Sequence, residues 1–252
     1  MRRLARLLAP ALVPAALALA AAPAPAAAQF MSMGESPRWG SLQLSVSAYR
    51  PDIDSEFNGR AAPYTTIFGT GRPLLFQFLF SRSLWGTEVG TLDLGFGAGY
   101  WQAYGNGIAP NGARGDSTSL MVIPLTVALG YRLDYLYDTW HVPFEPYVRV
   151  ALLDYVWWAN TGGQVATTLN ASGAEVRGQG GTFGWSATLG IALVLDFFDP
   201  TLARQMDQDT GINRTLIFLD FTKAGVDDFG SPKSWQLGPG YYMWSAGLQF
   251  VF

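Results

Sequence analysis

The sequence contains no cysteine and only one histidine, His141, in 252 residues. Disulfides and thiolate-held metals are therefore excluded. Charge is also scarce, at 14% of residues, while aromatics make up another 14%, and that balance excludes a disordered chain. A basic footprint is missing as well. Three of the 16 bases are Arg2, Arg3 and Arg6, so residues 29–252 hold 13 bases against 19 acids. No nucleic-acid partner is expected of such a surface. Beyond residue 28, nothing approaches the ~18 consecutive apolar residues of a membrane helix.

The first 28 residues read MRRLARLLAPALVPAALALAAAPAPAAA. A basic start, an apolar stretch and Ala26-Ala27-Ala28 before Gln29 follow the order of a cleaved secretory signal. Pro10, Pro14, Pro23 and Pro25 break the apolar run and no stop-transfer charges follow, which disfavours an anchor. The mature chain is expected near Gln29, as one domain over 29–252. With no cysteine after the cleavage site, lipoprotein anchoring is excluded.

The mature chain shows period-two alternation, the strand signal. Leu42, Leu44, Val46 and Ala48 alternate with Gln43, Ser45 and Ser47. Leu92, Leu94, Phe96, Ala98 and Tyr100 alternate with Asp93, Gly95, Gly97 and Gly99. Trp244, Ala246, Leu248, Phe250 and Phe252 alternate with Ser245, Gly247, Gln249 and Val251. Similar stretches lie at Leu74–Phe80, Ser119–Leu133, Phe144–Leu152, Trp185–Leu195 and, less cleanly, Thr215–Lys223. These make eight candidate strands.

A soluble sandwich would bury the apolar faces against each other. A membrane barrel turns them to lipid and fills its interior with small and polar groups. The second face here is rich in Gly, Ser, Thr and Gln. Aromatics gather near strand ends: Trp39, Tyr100, Trp101, Tyr131, Trp140, Trp157, Trp158, Trp185, Tyr241, Tyr242 and Trp244. Those positions suit an interfacial girdle. The expected fold is all-β: a closed antiparallel transmembrane barrel of eight strands. A ten-stranded barrel, using Gln164–Leu169 and Ala174–Gln179, is the alternative.

With an export signal ahead of it, the strand carrying Trp244, Ala246, Leu248, Phe250 and Phe252 resembles the assembly signal of bacterial outer-membrane barrels. Size and strand number resemble the small OmpA/OmpW-like group. Residues 49–56 (YRPDIDSE), Pro63-Tyr64 with Phe68-Gly69, and Leu195–Pro200 leading to residues 210–213 resemble an uncharacterised myxobacterial outer-membrane barrel family. The resemblance implies a Gram-negative outer-membrane location, lipid and lipopolysaccharide contacts, and handling by periplasmic chaperones and the barrel-assembly machinery. It implies no activity. A monomer is expected.

With both termini in the periplasm, residues 51–72, 105–117, 160–180 and 224–235 become outer loops. Residues 83–87, 134–143 and 197–213 become inner connections. Leu202–Met206, after Asp199-Pro200-Thr201, reads as a short capped helix.

Strand parity turns Asp93, Arg132, Glu145, Arg149, Asp196 and Asp220 into the lumen. Isolated charges there are costly, so they should pair as a structural plug. The sharper alternative is a gated path for protons or ions. Asp52, Asp54 and Glu56 alternate just past the first strand, so an extended chain would offer their carboxylates together to a cation such as calcium. The Gly and terminal Glu of a calcium loop are missing, which favours a solvated acidic loop. His141 falls in an inner turn with no obvious Ser partner, which disfavours a lipid-modifying enzyme. Neither a catalytic set, a metal centre nor a cofactor is expected. The function expected is structural or surface-interacting, with an interior filled by small and charged side chains. A narrow channel for small apolar or ionic solutes is the alternative, motivated by the missing side chains at Gly95, Gly97 and Gly99.

Overall fold

Alternation becomes pairing in eight strands, which the computed structural model places at β1 Gly40–Ala48, β2 Leu74–Gly86, β3 Thr91–Ile108, β4 Arg114–Arg132, β5 Phe144–Thr161, β6 Gln179–Val194, β7 Arg214–Val226 and β8 Met243–Val251. The structure describes residues 37–108, 114–169, 173, 175–232 and 234–252, so the expected export signal lies outside it. Each strand pairs antiparallel with its sequence neighbour, and β1 also pairs with β8, Leu44 opposite Leu248. The sheet is a closed cylinder. Closure leaves no barrel strand with an unpaired edge, the condition for a sheet to stand in hydrocarbon.

The lipid-facing rows follow the expected parity. Leu44, Val46, Phe76, Phe78, Val150, Leu152, Leu189, Ile191, Ile217 and Leu219 are all exposed on the outer face. Ser41, Gln43, Ser81, Thr188, Thr222, Ser245 and Gln249 are buried inside. An apolar girdle of that extent does not belong in water. Among the described residues, no helix is long and apolar enough to cross a membrane.

The strands outrun the sequence expectation. β3, β4 and β5 have 18, 19 and 18 residues, whereas crossing the apolar band takes about 9–11. Most of 105–117 is therefore strand rather than loop. Segment 160–180 is largely a hairpin extension built from Gln164–Val165, Thr167–Leu169 and Glu175–Arg177, standing outside the cylinder. The strand number is thus eight and not ten. Past the lipid band the outer face need not be apolar, so alternation fades while the hydrogen-bond ladder continues.

At the end remote from the termini, 49–73 carries a 3₁₀ turn, Ile53–Phe57, and helix α1, Pro63–Phe68. At the terminal end, 133–143 carries α2, Tyr135–Trp140, and 195–213 carries α3, Pro200–Thr210. Asp199 caps α3 by accepting from the amides of Thr201 and Leu202, as its sequence position suggests.

Candidate functional site

The lumen is occupied in three layers. The lowest, near the termini, is ionic. Asp93, Arg132, Glu145 and Arg214 stand at the lower ends of β3, β4, β5 and β7. Arg132 Nε donates to Asp134 Oδ1 at 2.7 Å and lies 3.8 Å from Glu145; Arg132 Nη2 lies 3.9 Å from Asp93. Arg214 donates to both Glu145 and Asp138, and Arg38 donates to Asp138 at 3.1 and 3.3 Å. Glu145 is 0% exposed. The segment after β4 supplies Asp134 and Asp138, so α2 folds back beneath the barrel and closes it with acid. Burial pushes the Asp134 carboxyl up, but Arg132 and Arg214 outweigh it and hold it below the usual carboxylate range.

The middle layer is polar. Arg149 lies 3.7 Å from Asp220 and donates to Gln43 Oε1 at 2.6 Å, while Gln43 donates to Gln249 at 3.0 Å. Tyr147 donates its phenolic hydrogen to Asp220. A cavity of about 70 Å³ lies among Gln43, Thr126, Arg149, Ser186, Asp220 and Thr222. Leu79, Leu153, Tyr155 and Met243 complete its lining, and its polar side chains can hold a few waters.

The upper layer is aromatic and aliphatic, where sequence parity alone suggests small polar groups. Trp101 is 0% exposed and donates from Nε1 to the Tyr49 carbonyl at 3.2 Å. Its ring meets that of Tyr49 edge-on at 5.1 Å. Leu75, Leu120, Val122, Tyr155 and Val226 fill the space around them. Trp157 stacks on Trp235 at 4.3 Å. Trp101 and Trp157 are therefore core residues, not girdle residues. Segment 49–73 roofs this layer. Tyr49 donates to the Leu237 carbonyl, and a side chain at Gly105 would strike the Ile67 carbonyl of α1.

Asp54 organises the roof. Its carboxylate accepts from the amides of Tyr64 and Thr65 at 2.8 and 3.1 Å, from the Thr65 hydroxyl, and from Arg50 at 3.2 Å. Burial pushes its pKa up, yet the Thr65 hydroxyl, the two amides and Arg50 together hold it below the usual range. A lowered pKa stabilises the roof above the unfolded value of about 3.9, and that support is lost as pH falls through the folded value. Hydrogen exchange at the Tyr64 and Thr65 amides should therefore stay flat from about pH 8 to 5, after correction for intrinsic rates, and accelerate below about pH 4. Unchanged protection at the lowest pH would remove Asp54 from this role.

The three acids of this loop are not brought together. Asp52 stands against Gly240, and Glu56 accepts from the Gln236 amide. Among the described residues no group of three or more His, Asp and Glu could hold a metal ion. Asp196 is a correction: β6 ends at Val194, and Asp196 sits in the 3₁₀ turn Leu195–Phe197, accepting from the Thr215 amide at the rim. His141 is exposed just past α2 with a left-handed φ of 55°. Beside the glycine row, β2 side chains stand close to Gly97 and Gly99, and Gly95 borders a cavity of about 20 Å³. A Cβ at Gly97 would stand 3.0 Å from Leu79 Cδ1, and one at Gly99 would stand 2.9 Å from Gln77 Cγ. Side chains of β2 occupy that room. On β8, Trp244 and Leu248 are exposed on the outer face, with Ala246 and Phe250 at the same parity. The Phe252 carbonyl accepts from the amides of Trp39 and Gly40.

Sequence reasoning missed Arg214, Asp134, Asp138 and Arg38. Arg214 shares the parity of Asp220 and lies one residue before the expected strand start. Extending each strand by one residue would have found it.

No family profile and no curated protein matches the chain. Three similar solved structures are small barrels. Neisserial surface protein A shares 10% identity at a TM-score of 0.43, covering 87% of this chain and 99% of its own. Ail, the attachment invasion locus protein of Yersinia pestis, shares 9% at 0.40, covering 85% and 97%. The N-terminal β-barrel domain of Pseudomonas aeruginosa OprF shares 11% at 0.34, covering 86% and 100%.

Proposed function

We propose that the protein is a monomeric bacterial outer-membrane barrel with a sealed lumen, acting through its outer surface and loops rather than by conduction. One observation carries this reading: side chains close the lumen below and above the middle layer, with Glu145 and Trp101 each 0% exposed. Eight strands leave an interior just wide enough for side chains. Export through residues 1–28 and passage past periplasmic chaperones fit the apolar exterior. The barrel-assembly machinery would read β8, Met243–Val251. The start of β1 and the end of β8 then lie in the periplasm, and segments 49–73, 162–169, 175–178, 227–232 and 234–242 face outward towards lipopolysaccharide and external partners. The ionic layer serves as a plug: it joins β3, β4, β5, β7 and α2 across the lower mouth.

Planar-bilayer recordings of the refolded protein test the seal. The expected result is no discrete opening at any holding voltage. Reproducible openings that disappear in Glu145→Gln would establish a channel instead. Migration of unheated and boiled samples on gels tests the barrel separately, because a folded barrel runs faster before boiling.

A further inference from the structure

Above the apolar band, the outward faces of β7, β8, β1 and β2 meet in one row. Thr222 pairs with Met243, so one further step sets Lys223 beside Tyr242. Ser47 pairs with Ser245 and Ala48 with Leu74, and the same continuation sets Arg50 between Tyr242 and Arg72. The Arg72 guanidinium lies 4.0 Å from the centre of the Tyr241 ring, and the Lys223 ammonium lies 5.3 Å from that of Tyr242. Tyr242 stacks on Phe221 at 4.7 Å, and Trp244 packs on the same ring at 4.7 Å. Below them Leu74, Phe76, Val46 and Trp244 are exposed on the outer face.

The charge balance of this row is unusual for the chain. Residues 29–252 are acidic, yet among the described residues neither Arg72 nor Lys223 has an ion-pair partner. Arg50, between them, is taken by Asp54 at 3.2 Å. Cations with apolar stems settle at the membrane surface with their heads in the polar zone. Here a tyrosine ring fixes each head at that depth. Three inter-strand spacings separate β7 from β2, roughly 14 Å. Lys223 reaches the outward ring of Tyr242, while Arg72 crosses the outer face of β1 to the ring of Tyr241, which also packs against the upper core. The result is a positive ledge directly over an aromatic and aliphatic wall.

We propose that this ledge binds one phosphorylated lipid of the outer leaflet, with Arg72 and Lys223 on its phosphates and its acyl chains along Val46, Phe76 and Trp244. The proposal rests on the outer-membrane placement argued above. Anionic headgroups supply the charge that the protein leaves unpaired. The apolar wall selects a lipid over a free anion.

Native mass spectrometry of the detergent-solubilised barrel, titrated with diphosphorylated lipid A, tests it. One lipid A per barrel should be retained, and fully dephosphorylated lipid A or phosphatidylcholine should be retained far less. Removing each cation near an anionic headgroup should weaken binding about fivefold, so Arg72→Gln with Lys223→Gln should weaken it about 25-fold. Arg204→Gln, on α3 at the opposite end, should leave retention unchanged. Equal retention by the double variant, or of the dephosphorylated lipid, overturns the proposal. Displacement of lipid A by inorganic phosphate at matched concentration also overturns it, since that would mark a free-anion site. Gel migration before and after boiling monitors folding in every sample. Failure of the barrel reading would appear there and would not be confused with failure of the lipid site.

Discussion

Replacing Arg132 with leucine should cost the barrel about 3–5 kcal/mol of stability, the range for breaking a buried ionic cluster from one side. Arg132 is 5% exposed and is the cation shared by Asp93, Asp134 and Glu145. Without it three acids crowd the lower mouth, and Arg214 remains paired with Glu145 and acts on Asp134 only at longer range. The penalty comes from the carboxylates left behind, not from any large net worth of the intact cluster. Replacing the cluster wholesale with apolar residues of similar volume should therefore cost much less than the single change. Urea unfolding in phosphatidylcholine vesicles, followed by tryptophan fluorescence, measures the loss. Arg149→Leu provides the comparison. Arg149 faces one acid, Asp220, at 3.7 Å beside the 70 Å³ cavity, where water can solvate what is exposed. Its cost should be clearly smaller. If the two variants proved equally mild, the ionic layer would be hydrated and no plug at all.

The parts of the fold that were legible are those that lipid dictates. Within the band, each strand must alternate an apolar outer residue with an inner one, and Leu42–Ala48 or Leu92–Tyr100 therefore reveal both strand and face. Above the band that constraint lapses. The outer extensions of β3 to β6 kept their backbone pairing but carried no readable period, so 105–117 resembled a loop. Trp101 shows a different failure. Its parity, opposite to that of Tyr100, already pointed inward, yet its residue type suggested a girdle. The upper core needed it inside, because segment 49–73 folds over that mouth and offers the Tyr49 carbonyl to its indole N–H. The ionic layer was partly legible for the same reason as the strands. Asp93, Arg132 and Glu145 followed from parity alone. Asp134 and Asp138 did not, since they come from a connection whose path back beneath the barrel is set by α2. No single-sequence pattern fixes that path. The dispersal of Asp52, Asp54 and Glu56 was hidden similarly: spacing places them near one another, but the 3₁₀ turn at Ile53–Phe57 rotates each towards a different partner.

Gly247→Ala should destabilise the barrel by about 3 kcal/mol, the upper part of the usual cost of overpacking. The strain falls on the seam of the cylinder. β1 and β8 have nine residues each, the shortest strands of the cylinder, and their pairing alone joins the first strand to the last. Gly247 sits in that ladder opposite Ser45 on one side and Phe218 on the other. A Cβ there would collide with the Leu44 carbonyl and come within 2.8 Å of Ser45 Cα. Backbone cannot move aside as a side-chain tip can without losing ladder hydrogen bonds. An alanine elsewhere in a strand would ordinarily help, because glycine loses more conformational freedom on folding. Gly107→Ala tests that contrast. Its Cβ would meet Thr118 Oγ1 at 3.5 Å, an ordinary contact, and the change should be neutral or slightly stabilising. Refolding into phosphatidylcholine vesicles, scored by migration without boiling, should show the Gly247 variant shifted towards the unfolded band while the Gly107 variant runs as wild type. Equal yields would mean the two strands meet less closely at Gly247 than the register requires, and the closed seam would have to be redrawn.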